Sequence, residues 1–175
     1  MNKQYKPVTK GSRGFTIIEV VLVLAIAGLI FLMVFIALPA LQRGQRDTQR
    51  KDDLSRINTQ ISNFQGSNRG KIPTTTGASP TIGSFVKNYL GNNTTTQTGS
   101  EYFDPSTGEG YTFITNGSDP TRSGNLSQIS YEPSKICGDD GAAVGTYDGT
   151  TATARNYVLR VLLEGQIAPY CLDNR

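Results

Sequence analysis

The residue types that could do chemistry in this chain exclude more than they suggest. There is no histidine among the 175 residues, which removes Ser-His-Asp and Cys-His nucleophilic catalysis and the usual zinc ligand sets. No GxxxxGK[ST] stretch is present to cradle a nucleotide phosphate. Asp139, Asp140 and Asp148 crowd the loop GDDGAAVGTYDG, but they miss the EF-hand spacing, and an acidic glycine-rich surface loop is a better reading than a calcium site. Asn93, Asn116 and Asn125 lie in N-x-[ST] triplets, which arise by chance in a sequence this rich in Asn, Ser and Thr. No catalytic residue, metal ligand or cofactor is therefore expected, and an enzyme is the least expected class. Two features remain. One is the cysteine pair Cys137 and Cys171, and the other is a lone carboxylate, Glu19, inside a long apolar segment.

From Phe15 to Leu41 the only ionisable side chain is Glu19. The uncharged run from Val20 to Leu41 exceeds the roughly 18 residues that mark a membrane-spanning helix. Leaving these side chains in water would cost tens of kcal/mol, at roughly 1.5 to 3 kcal/mol each, so they must lie in lipid or in protein. The run is too long for a secretory h-region of about 7 to 15 residues, and Ala37-Leu38-Pro39-Ala40 is a poor cleavage site. A plain signal anchor leaves Glu19 unexplained. A carboxylate costs about 2.5 to 3.5 kcal/mol at the centre of a spanning helix, less near an end, and is functional by default. Neither Arg13 nor Arg43 is a helical i+3 or i+4 neighbour of Glu19, so the expected partner is a cation from elsewhere. Cutting the chain between Gly14 and Phe15 would create one, because the new α-amino group is positive near neutral pH.

Arg-Gly followed by Phe-Thr-Ile-Ile-Glu, residues 13 to 19, resembles the processing site of type IV prepilins. A short basic leader ends in Gly, Phe opens the apolar run, and a single acid stands at the fifth position after the cut. The resemblance covers about the first 65 residues strongly and the rest in outline. It implies cleavage after Gly14 by a prepilin peptidase, N-methylation of Phe15, and polymerisation into a helical filament with the apolar helices bundled inside. Glu19 would neutralise a neighbouring N-terminus and set subunit register, a use of buried charge for specificity rather than stability. Gly28 and Pro39 weaken a long helix, and Pro39 removes a hydrogen bond to the Phe35 carbonyl, so a kink or melted segment is expected there.

The organisation expected is a leader over 1–14, an apolar membrane or filament-core helix over 15–41, an amphipathic continuation over 42–66, and a head over 67–175. The formal net charge of +3 misleads, because Lys3, Lys6, Lys10 and Arg13 supply four positives; without them the balance is 13 against 14. Four basic residues precede the apolar block, and Arg43, Arg46, Arg50 and Lys51 follow it, so the positive-inside rule does not orient the chain. If the head is exported, Cys137 and Cys171 should pair. Leu54, Ile57, Ile61 and Phe64 form one stripe that should pack on a sheet, with a wholly polar surface before it. Arg43 with Asp47, Asp47 with Lys51 and Asp52 with Arg56 are i,i+4 pairs, which describe a solvated or subunit-bridging face and cancel the field that DNA binding needs.

The spacing of Ile82, Phe85, Val86, Tyr89 and Leu90 predicts a short helix, and strands are expected at Tyr111 to Thr115, Leu126 to Glu132 and Tyr157 to Glu164. The fold class is α+β, a long N-terminal helix on a small antiparallel sheet. The function expected is a pilus filament subunit serving adhesion, motility or DNA uptake, held in the cytoplasmic membrane before assembly and extracellular after it. Its partners would be itself, the peptidase, the assembly ATPase and the platform protein. The rivals are a pseudopilin of a type II secretion or competence apparatus and a monomeric membrane-anchored adhesin.

Overall fold

The computed structural model describes residues 14–77, 80–91, 102–115, 125–147 and 149–175. The chain divides into two units, Met1–Leu41 and Gln42–Arg175, and a single helix, α1 (Ile17–Ser67), contributes to both.

In the first unit the large apolar side chains of α1 are exposed, Ile17 at 85% and Phe35 at 75%. The segment is long and apolar enough to cross a membrane, and none of it is buried within the chain's own fold. Burial must come from lipid or from other protein. Gly28 and Pro39 were expected to break or kink the helix, yet both lie inside α1 as helical residues, with no melted segment. Pro39 deprives the Phe35 carbonyl of its donor, but the ladder continues on both sides of that single gap.

In the second unit the stripe Leu54, Ile57, Ile61 and Phe64 is buried as expected, at 0 to 3% exposure. After Ser67 the chain turns sharply: Arg69 and Gly70 take left-handed backbone angles, φ 56° and 77°. The Gly70 N–H then donates to the Gln65 carbonyl at 2.8 Å, so the turn satisfies a carbonyl that the helix end leaves open. The second helix, α2 (Ile82–Tyr89), starts at Thr81, whose hydroxyl accepts the Ser84 N–H at 3.3 Å. Ile82, Phe85, Val86 and Leu90 are buried against α1, and Phe85 meets Phe64 edge-on with ring centroids 5.8 Å apart.

The strands are β1 (Thr112–Ile114), β2 (Gln128–Pro133), β3 (Ile136–Cys137), β4 (Ala143–Val144), β5 (Thr146–Tyr147), β6 (Thr150–Thr151), β7 (Tyr157–Val161) and β8 (Tyr170–Asp173). The main sheet has the order β1-β2-β7-β8, while β3 pairs with β4 and β5 with β6 in two small hairpins. The fold is α+β, but the sheet is mixed rather than purely antiparallel, because β1 runs parallel to β2, with Phe113 opposite Ile129. A parallel pair needs a crossover of a dozen or more residues, and residues 115–127 are long enough to supply it.

Tyr157, Leu159, Val161 and Leu163 join the core with α1 and α2. Val158 and Arg160 alternate with them and are buried too, so β7 is covered on both faces. The second cover is the region around β3, which lies against β7 and β8. A disulfide ties Cys137 in β3 to Cys171 in β8, and the Cys137 N–H donates to Asp173 at 2.8 Å.

Candidate functional site

Gly14, Phe15 and Thr16 lead into α1 without being helical. The Thr16 carbonyl receives the first helical bond from the Val20 N–H, which makes Thr16 the N-cap and Glu19 the third helical residue. Oε2 of Glu19 accepts both the Thr16 N–H at 2.9 Å and the Thr16 hydroxyl at 2.7 Å. The Thr16 Oγ1 in turn lies 3.4 Å from the Glu19 N–H. This is a capping box, in which the two side chains satisfy each other's otherwise orphaned backbone donors. In an apolar medium each unsatisfied donor would cost several kcal/mol.

Glu19 therefore has a local hydrogen-bond partner in Thr16, beside the cation expected from elsewhere. That expectation considered only basic side chains and overlooked the Thr-x-x-Glu signature before an apolar run, which is the signal for such a cap. Oε1 of Glu19 makes no hydrogen bond among the described residues. The carboxylate is thus oriented through one oxygen and open at the other.

Residues 9–35 match the family model of the prokaryotic N-terminal methylation motif. The chain carries a type IV prepilin leader. Comparison with curated proteins and with solved structures finds no match. The matched stretch contains Gly14, Phe15, Thr16, Glu19 and Gly28, while Pro39 and both cysteines fall outside it. Residues 1–13 of the leader lie outside the described residues.

Within the second unit a charged cluster joins α1 to the turn before β1 and to the residues after β7. The Arg50 guanidinium is fully buried and reaches Asp104 at 2.7 Å, Asp47 at 2.8 Å and Glu164 at 3.2 Å, and it donates to the Ser106 hydroxyl at 2.9 Å. Arg46 makes a two-pronged contact with Glu164, both distances 2.7 Å. Asp47 also accepts the Glu164 N–H at 2.9 Å. Asp104 sits in an Asx turn, accepting the backbone N–H groups of Ser106 and Thr107, a geometry that the Asp-Pro-Ser-Thr sequence favours.

Burial pushes the Asp104 carboxyl up, but hydrogen bonds from Arg50, the Ser106 hydroxyl and the two backbone groups outweigh it and hold it below its ordinary value. The hydrogen bond from Arg46 does the same for Glu164 against a smaller opposing effect of burial. Asp53, one turn on, is pushed up to about 6 by burial, opposed by Arg56 and the Tyr111 hydroxyl.

This cluster corrects the view of the charges between 43 and 56 as a solvated or subunit-bridging face. Asp47 was expected to pair with Arg43 and Lys51 but is taken by Arg50, and Arg50 and Asp53 are buried. The periodicity could have revealed it, because Arg50, Asp53, Leu54, Ile57, Ile61 and Phe64 lie on one face. The buried face extends one turn before the apolar stripe starts. Of the acidic-loop candidates, Asp140 accepts the Ala142 N–H and so shapes its own turn, while Asp148 lies outside the described residues. Asn125 caps a turn by accepting the Ser127 N–H; Asn93 and Asn116 lie outside the described residues.

Proposed function

We propose that this chain is the structural subunit of a type IV pilus, cleaved after Gly14, N-methylated on Phe15 and polymerised through its apolar helix, for adhesion, motility or DNA uptake. The observation that carries the reading is the methylation motif over residues 9–35, which runs into a helix whose apolar segment is not buried within its own fold. Before assembly the helix anchors the chain in the cytoplasmic membrane; after assembly other copies cover it, and the head lies on the extracellular filament surface. Oε1 of Glu19 receives the Phe15 amine of a neighbouring copy while Oε2 stays on Thr16. Gly28 and Pro39 are the points at which α1 yields during assembly. Prepilin peptidase, assembly ATPase and platform protein are the partners this route requires.

The deciding experiment is mass spectrometry of the N-terminal peptide from protein sheared off the cell surface. A peptide that begins at methylated Phe15 and is abundant in long filaments is the expected result. The same peptide confined to the membrane fraction would make the chain a pseudopilin, and mature protein that retains its leader would leave only a membrane-anchored adhesin.

A further inference from the structure

Beside the charged cluster, an open groove of about 550 Å³ lies between the start of the water-side part of α1 and the β7–β8 turn. Arg43 and Arg46 line one wall, Leu162, Leu163, Glu164, Gly165 and Gln166 the other, with Leu126 and Ser106 at the end. Among the described residues Arg43 has no hydrogen bond or ion pair, and Arg46 commits Nε and Nη2 to Glu164. The groove therefore combines one unpaired guanidinium, a second with Nη1 unengaged and the Gln166 amide with apolar walls from Leu126 and Leu162.

Chain position supplies the occupant. Arg43 and Arg46 follow Leu41, the last residue of the apolar run, by two and five residues, about 3 and 8 Å of helix rise. A guanidinium at that distance from a membrane-spanning segment stands at headgroup depth, where lipid phosphates are the anions at hand and each Arg contributes to their attraction. We infer that, in the membrane-anchored stage, this groove seats the phosphate of an anionic phospholipid, with Arg43 as the principal contact. The inference rests on the anchored stage of the proposed function and not on filament formation.

The test reconstitutes the full chain in vesicles of equal parts phosphatidylglycerol and phosphatidylcholine, extracts it in mild detergent and measures retained lipid by native mass spectrometry. Wild type is expected to retain phosphatidylglycerol over phosphatidylcholine, and Arg43→Gln to lower that preference by about fivefold. Lys87→Gln, with the same charge change on the exposed end of α2, should leave the preference unchanged, and excess inorganic phosphate should not displace the lipid. Equal retention of the two lipids by wild type, or equal losses in Arg43→Gln and Lys87→Gln, would overturn the inference. Flotation of the vesicles separates the two levels: protein that fails to float refutes membrane anchoring itself, whereas protein that floats without lipid preference refutes only the groove.

Discussion

Arg50 on α1 and Asp104 in the turn before β1 meet at 2.7 Å with neither side chain exposed to solvent. Taking two charges out of water carries a penalty of several kcal/mol per ion, so such a pair holds only when the remaining donors and acceptors are also satisfied. Here they are, through Asp47, Ser106, Thr107 and Glu164. The consequence is that α1 is fixed to the head at its first water-side turns by charge, and farther along by apolar packing.

Removing one partner of this pair should be far worse than removing both. Arg50→Met leaves Asp104 buried and uncompensated and should cost about 3 to 5 kcal/mol, whereas Arg50→Met combined with Asp104→Leu should recover part of that loss. Chemical denaturation of the full chain in detergent, followed by near-ultraviolet circular dichroism of the tyrosines, measures both. A single variant that unfolds at the wild-type midpoint would mean the cluster contributes nothing to the fold.

The carboxylates around Arg50 and Asp53 pull stability in opposite directions as pH changes. Burial raises Asp53 from its ordinary 3.8 to about 6, so between those values the folded state binds a proton that the unfolded state has released. Its destabilising effect is present above about 6 and is relieved as pH falls toward 4. Asp104 and Glu164 are depressed instead; their stabilisation is present above the ordinary carboxylate range and is lost as pH falls through their lowered values. The melting temperature should rise from pH 7.5 to about 5 and fall below about 4. In Asp53→Asn the rise should vanish while the acid fall remains, which a series of thermal melts would reveal.

The Cys137–Cys171 bridge closes a loop with a sequence separation of 34. In the chain-entropy model a loop of that size stabilises by about 3 to 4 kcal/mol. Cys137→Ser and Cys171→Ser should therefore lower the denaturation midpoint by matching amounts. Reductant should lower the wild type to the same level and leave both variants unmoved. Unequal variants would mean that one cysteine also matters through packing.

Two glycines should respond in opposite ways to alanine. A Cβ on Gly141, which has φ +74°, would run into the carbonyl oxygen of Pro169, and neither backbone can yield without disturbing the covering of β8. A Cβ on Gly66, inside α1, meets nothing within 4 Å. Gly141→Ala should unfold or severely destabilise the head. Gly66→Ala should be neutral or stabilising by up to about 1 kcal/mol. Thermal melts of the pair, side by side, provide the check.

What the sequence determined by itself was local or compositional. The apolar run from Val20 to Leu41, the acid at position 19, the stripe from Leu54 to Phe64 and the helix at Ile82 are legible because each is written in residues that lie within a few turns of one another. The capping box was legible too, as Thr16 and Glu19 stand three apart, although a search confined to cations passes over it. Tertiary structure alone decided the rest. The partners Asp104 and Glu164 lie 54 and 114 positions from Arg50, and no helical periodicity encodes such a distance. Whether a polar residue on α1 faces water or a buried carboxylate depends on which loop the sheet delivers to it. Likewise β1 pairs parallel to β2, and β7 is covered on both faces because of where the disulfide-tied region settles. A strand's sequence records that its faces alternate, not what lies across each of them.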